Sequence, residues 1–85
     1  MYTIYILYSE LLHKFYIGFT GDAIEIRISK HLANHSGFTS KAKDWILCYS
    51  EIYETKEAAM KREKQLKGWK SSTRIRALID KSSTE

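Results

Sequence analysis

Three short runs of aromatic and β-branched residues constrain the fold of this chain more than any other feature. The runs are Tyr2–Tyr8, Phe15–Phe19 and Trp45–Tyr53, and this composition is typical of β-strands. A chain of 85 residues has room for only one domain. Proline is absent, which favours uninterrupted strands and helices. We therefore expect one small antiparallel sheet, with the first two strands joined as a hairpin.

Helical patterns fill most of the remaining chain. Asp22 and Glu25 have the spacing of a capping box, and Asn34 and Gly37 mark the end of that helix. Its apolar stripe, with members four residues apart, consists of Ile24, Ile28 and Leu32. The segment from 36 to 44, ahead of the third strand, is a polar loop.

Two further helices follow the third strand. Thr55 is a typical N-cap, and the helix after it runs to about Lys67, where Gly68 offers a stop. Ser71 or Ser72 can cap the last helix. The predicted order is β-β-α-β-α-α, an α+β fold in which helices flank a three-stranded antiparallel sheet. We expect one domain over residues 1–81 and a frayed tail over 82–85.

Composition excludes several classes of protein. The single cysteine, Cys48, cannot form an intramolecular disulfide or a cysteine-based zinc cluster. No run approaches the ~20 apolar residues that span a bilayer, and no secretory signal is present at the N-terminus. We therefore expect a cytoplasmic protein without membrane association.

Basic residues are concentrated near the C-terminus. The net charge is +4, and the segment Lys61–Arg76 holds seven of the 14 Lys and Arg residues with one acid, Glu63. This pattern is typical of a nucleic-acid-binding surface, although many charge runs are only solvated helix faces. The predicted DNA-binding residues are Lys61, Arg62, Lys64, Lys67, Lys70 and Arg74.

Two polar residues flank the apolar stripe of the first helix. These residues, Arg27 and His31, are four residues apart, so we expect both to point toward the edge of the sheet. Each alone is explained as well by a boundary position on the helix. Tyr5 and Tyr16 lie on the two strands of the hairpin and can face the same side.

Glu63 is another residue whose position is not explained by packing in a hydrophobic core. It lies four residues after Ala59 and three before Leu66, within the apolar stripe of its helix. A carboxylate in that position must be paired, protonated or bound to a cation. The alternatives are an ion pair with Arg62, Arg27 or a neighbouring lysine, and a ligand for Mg²⁺ or Mn²⁺.

In this order along the chain, these residues resemble the motif set of the GIY-YIG nuclease superfamily. Thr3-Ile4-Tyr5 stands at the first motif, and Tyr16-Ile17-Gly18 is a literal second motif. The resemblance extends from Tyr2 to about Ile79 and is nearest to the small single-domain branch often labelled excinuclease-subunit-C-like. The residues that carry it are Tyr5, Tyr16, Gly18, Arg27, His31 and Glu63.

The resemblance implies a metal-dependent DNA endonuclease of the kind that acts in DNA repair or recombination. Glu63 would hold one Mg²⁺ or Mn²⁺ at the scissile phosphate. Tyr16 or Tyr5 would orient or deprotonate the attacking water, with His31 as a helper base. Arg27 would neutralise the charge that develops on phosphorus. The implied partner is DNA. A catalytic module without a separate recognition domain is expected to bind weakly, to select DNA by its structure, or to take its specificity from a second protein.

Other features of the resemblance concern the second motif and the C-terminus. Gly18 would let the backbone approach the phosphate, and Phe19 stands near a position where the repair nuclease has a lysine, which shifts the base role toward His31. The late asparagine of many members has no counterpart, and its candidate substitutes are Ser71, Ser72 and Thr73. The alternative function is a nucleic-acid-binding module with a degenerate, inactive site.

Overall fold

The computed structural model describes residues 1–33 and 38–83, and it has the predicted α+β fold with the order β-β-α-β-α-α. A short 3₁₀ turn, Phe38–Lys41, precedes the third strand. None of the helices in the described ranges is long and apolar enough to cross a membrane. The strands are β1 (Tyr2–Ser9), β2 (Lys14–Thr20) and β3 (Ile46–Tyr53), and the helices are α1 (Ile24–Ala33), α2 (Lys56–Gly68) and α3 (Ser72–Ser83).

The sheet is antiparallel and has β1 at its centre. The strand order is β2-β1-β3, and Tyr5 lies opposite Gly18 on β2 and Ser50 on β3. The register with β3 shifts between Ile6 and Leu7, where Cys48 is the extra residue of a β-bulge. Because β1 is the middle strand, its side chains contribute to the packing on both faces of the sheet.

Alternate residues of β1 enter two separate cores. Ile4 and Ile6 pack with Ala59, Leu66 and Ile75 of α2 and α3. On the opposite face, α1 and the segment before β3 cover the second cluster, which contains Tyr5, Leu7, Ala42 and Trp45. Both faces of β1 are therefore buried, which explains its nearly continuous apolar sequence.

Several helix ends differ from the sequence prediction. Asp22 is not the N-cap of α1, because the carbonyl of Ala23 accepts the first helical bonds; Asp22 instead pairs with Lys30 at 3.6 Å. Gly68 is the last residue of α2 and Trp69 caps it. Helix α3 continues to Ser83, into the segment predicted to be frayed.

The predicted helix starts after β3 agree with the structure. The Thr55 hydroxyl accepts a hydrogen bond from the amide of Ala58 at 3.2 Å. The Ser71 hydroxyl accepts from the amide of Arg74 at 3.3 Å, so Ser71, rather than Ser72, caps α3. The predicted end of α1 at Asn34 and Gly37 lies outside the described residues.

Candidate functional site

The hydroxyl of Tyr5 is the point at which α1 meets the sheet. Tyr5 is fully buried. Its phenol oxygen accepts a hydrogen bond from Nε of Arg27 at 3.2 Å and lies 2.8 Å from Nε2 of His31. The structure therefore brings Arg27 and His31 together on one tyrosine, as their spacing on the helix predicted.

The buried face of α1 includes His31. This orientation of the helix places both His31 and Arg27 beside Tyr5. Ile24 and Ile28 pack against the cluster around Tyr5, and His31 is 6% exposed. Leu32, predicted to complete the apolar stripe, is instead 36% exposed. Seven residues bring His31 to within about 20° of Ile24 on the helix, whereas Leu32 is displaced by about 80°.

Tyr16 completes the aromatic side of the site. It lies opposite Leu7 in the hairpin, and its ring centroid is 5.0 Å from that of His31 and 6.4 Å from that of Tyr5. The ring of Trp45 lies 6.4 Å from Tyr16 on another side. Tyr16 is half-buried, so it is the more accessible tyrosine of the two.

Burial controls the protonation of the hydrogen-bonded pair. Burial raises the pKa of the Tyr5 phenol above its ordinary value, despite the opposing hydrogen bond from Arg27. Burial, together with the positive charge of Arg27, lowers the pKa of His31. Near neutral pH the site therefore contains a protonated phenol beside an uncharged imidazole, in which one ring nitrogen donates and the other accepts a hydrogen bond.

Gly18 provides the space that the Tyr5 phenol occupies. A Cβ atom on Gly18 would lie 2.5 Å from the phenol oxygen and 2.7 Å from Cζ of Tyr5. These distances are far inside van der Waals contact. The resemblance implied that Gly18 admits a phosphate, but in the structure its missing side chain admits Tyr5.

Glu63 lies on α2 and is half-buried, with 21% of its side chain exposed. Its carboxylate pairs with Lys67, 3.5 Å away, which is the neighbouring lysine among the partners considered from the sequence. Its negative charge is one of the groups that raise the pKa of Tyr5. Glu63 is therefore within electrostatic range of the buried hydroxyl.

The surroundings of Glu63 fit a single hard cation. Within residues 1–33 and 38–83, no three His, Cys, Asp or Glu side chains cluster as a metal site would require. Mg²⁺ is commonly held by one or two carboxylates, with water and substrate phosphate as its other ligands. A half-buried carboxylate that pairs with an exposed lysine suits that mode of binding.

A groove of about 630 Å³ lies between β2 and the junction of α2 and α3. Its floor is apolar and includes Phe15, Ile17 and Leu66. Its polar residues are Lys14, Tyr16, Lys67, Lys70, Ser71 and Ser72. Lys14 was not among the DNA-binding residues predicted from the sequence, although its position two residues before the second motif was a signal for it.

The residues of the predicted basic stripe have different surroundings. Lys67 and Lys70 line the groove, whereas Lys61 and Lys64 are exposed. The guanidinium of Arg74 stacks over Trp69 at 4.4 Å. Arg62, which the sequence offered as a DNA-binding residue or a partner of Glu63, forms an ion pair with Glu51 at 2.9 Å.

Glu51 is the centre of a hydrogen-bonded cluster on the α2 side of β3. Its two carboxylate oxygens accept bonds from Arg62 at 2.9 and 3.0 Å. Two tyrosine hydroxyls also donate to it, those of Tyr49 and Tyr53. The cluster joins β3 to α2, so Arg62 has a structural role.

We expect Glu51→Gln to destabilise the fold by about 1–3 kcal/mol, because it removes charge-assisted hydrogen bonds from a half-buried arginine. Burial raises the pKa of Glu51, but the bonds from Arg62 and the tyrosines outweigh it and hold the pKa below its usual value. The stabilisation is therefore present above the unfolded-state pKa and lost as the pH falls through the folded-state pKa.

Thermal melts of the wild type and Glu51→Gln between pH 3 and pH 7 measure this effect. The difference between the two proteins should be largest near neutral pH and shrink in acid. Glu54→Gln, which removes an exposed carboxylate next to the same strand, is the control and should change stability by less than about 0.5 kcal/mol. Equal melting temperatures for all three proteins would contradict the assigned role of Glu51.

The comparison with known protein families agrees with the motifs. A family model described as the GIY-YIG catalytic domain matches residues 1–76, which include every residue of the candidate site. No curated protein and no solved structure matched the chain. Because the match covers most of the 85 residues, the chain belongs to the GIY-YIG family, whose members are nucleases that generally use divalent metal ions.

Proposed function

We propose that this protein is a divalent-metal-dependent DNA endonuclease that hydrolyses phosphodiester bonds, acting in the cytoplasm in DNA repair or recombination with specificity supplied by a partner. The observation that carries the proposal is the convergence of Arg27 and His31 on the buried hydroxyl of Tyr5. A folded core gains little from burying a histidine against a phenol. An active site needs such groups held in fixed positions.

Tyr5 acts as a positioning residue. Because it is fully buried, it cannot touch a substrate or an attacking water. Its oxygen fixes the guanidinium of Arg27 and the imidazole of His31. Tyr16 is half-buried and lies against the same imidazole, so we assign the contact with the attacking water to Tyr16, with His31 receiving the proton.

Arg27 contacts the scissile phosphate. Only its Nε donates to Tyr5, and within the described part of the chain its two terminal nitrogens have no hydrogen-bond partner. A guanidinium held at one edge presents its remaining donors in a fixed geometry that matches phosphate oxygens. These donors stabilise the negative charge that accumulates in the transition state.

Glu63 is the residue that would hold Mg²⁺ or Mn²⁺. When bound, the cation would act as a Lewis acid on the phosphate and stabilise the leaving oxygen. The carboxylate is close enough to Tyr5 for its charge to affect the phenol. A cation held by Glu63 would therefore lie within electrostatic range of the hydroxyl that positions Arg27 and His31.

DNA binds mainly through the lysines of the groove and of α2. Replacing Lys67 and Lys70 together by glutamine should reduce the slope of log K against log salt by about 1.8 for duplex DNA, since each phosphate contact contributes about 0.9. Fluorescence anisotropy at several salt concentrations measures the slope. The matched control is the double replacement of Lys43 and Lys56, and an unchanged slope in the groove variant would place DNA elsewhere.

Nicking of a supercoiled plasmid tests the proposed activity. We expect open-circular product with Mg²⁺ or Mn²⁺ and none with EDTA, and we expect Tyr16→Phe to reduce the rate strongly. DNA binding without cleavage in either metal would support the alternative, a nucleic-acid-binding module with an inactive site. Cleavage in EDTA would refute the metal dependence, and cleavage by Tyr16→Phe at the wild-type rate would refute the role of Tyr16.

A further inference from the structure

Lys67 takes part in two sites at once. Its ammonium pairs with the carboxylate of Glu63 at 3.5 Å, and the residue also lines the 630 Å³ groove together with Lys14 and Lys70. The two functions are chemically opposed. One uses the positive charge to neutralise a metal ligand, and the other presents it to a polyanion.

The ion pair between Lys67 and Glu63 is weak enough for Lys67 to exchange Glu63 for another anionic partner. Lys67 is 53% exposed, compared with 21% for Glu63, and a lysine has a flexible stem that carries a compact charge. An exposed i,i+4 ion pair contributes little free energy, so a phosphate in the groove can attract Lys67 away from its partner. A lysine ammonium and a divalent cation compete for the same carboxylate, because both need its oxygens.

We propose that Lys67 couples DNA binding to metal binding. In the free protein Lys67 neutralises Glu63 and competes with the cation. When a DNA phosphate enters the groove, Lys67 turns to it and leaves Glu63 available for the cation. This inference rests on the proposed function, because it takes Glu63 to be the metal ligand.

Thermodynamic linkage makes the coupling reciprocal. If DNA raises the affinity for the cation by some factor, the cation raises the affinity for DNA by the same factor. The loss of an exposed ion pair corresponds to a factor of about two to five. The coupling should therefore be modest in size, specific to Lys67 and absent from the other groove lysines.

The experiment measures Mn²⁺ affinity by the electron paramagnetic resonance signal of the free ion, with and without a cleavage-resistant phosphorothioate duplex. Lys67→Met is compared with Lys70→Met, which removes the same charge from the same groove but not the partner of Glu63. Without DNA, we expect Lys67→Met to bind Mn²⁺ about two- to fivefold more tightly than Lys70→Met. Adding DNA should tighten Mn²⁺ binding in the wild type and in Lys70→Met, and by less in Lys67→Met.

Two results separate the failure of this inference from the failure of the proposed function. If Glu63→Gln weakens Mn²⁺ binding but Lys67→Met and Lys70→Met behave alike with and without DNA, the coupling through Lys67 is wrong and the metal site stands. If Glu63→Gln binds Mn²⁺ as the wild type does, the metal assignment itself is wrong. Circular dichroism melts of all variants confirm that they are folded.

Discussion

Replacing Glu63 by glutamine should reduce DNA cleavage by at least about a hundredfold, because a divalent cation supplies several kcal/mol of transition-state stabilisation and each 1.36 kcal/mol is a factor of ten. Glutamine keeps the shape of the side chain and removes the charge that holds a hard cation. DNA binding in the absence of metal should change little, since the lysines supply the phosphate contacts. The measurements are plasmid nicking, Mn²⁺ binding and anisotropy.

Stability distinguishes this role from a structural one. Among the described residues Glu63 pairs with Lys67, whose side chain is 53% exposed, so losing this pair should cost well under 1 kcal/mol. Glu57→Gln removes an exposed charge from the first turn of the same helix and should leave cleavage unchanged. A strongly lowered melting temperature together with nearly intact cleavage would show that Glu63 is structural.

The sequence predicted the elements well because their signals are local. The β-branched and aromatic composition of Tyr2–Tyr8 predicted a strand, which is β1 in the structure. Thr55 marked the start of α2 correctly. The start of α1 was predicted less accurately. Asp22 is a residue type typical of an N-cap, yet α1 begins one residue later, after Ala23, and the side chain of Asp22 pairs with Lys30.

The partners of charged residues were harder to predict, because they depend on which elements become neighbours. Spacing along one helix was enough to place Arg27 and His31 on the same side, and the structure adds that they meet at Tyr5. Arg62 has an equally local pattern of basic neighbours, but its partner, Glu51, lies on a strand. The groove likewise forms only when β2 approaches the end of α2, which no local pattern encodes.

Replacing Gly18 by alanine should both destabilise the fold and reduce cleavage. Alanine normally strengthens a strand relative to glycine, because it restricts the unfolded chain. Here its Cβ would lie 2.5 and 2.7 Å from atoms of the Tyr5 phenol. That ring is fully buried and hydrogen-bonded at its far end to Arg27 and His31, so it cannot move aside without losing those bonds. We expect a cost of about 1–3 kcal/mol, as for other overpacked cores.

Gly68→Ala is the matched control for Gly18→Ala, because nothing lies within 4 Å of a Cβ at that position. It should be neutral or stabilise α2 by up to about 1 kcal/mol. A second test uses Tyr5→Leu, which removes the phenol that the new methyl group would strike. In that background Gly18→Ala should cost much less than in the wild type, and chemical denaturation of the four proteins measures the coupling. If Gly18→Ala costs the same in both backgrounds, the glycine serves another purpose than making room for the tyrosine that positions Arg27 and His31.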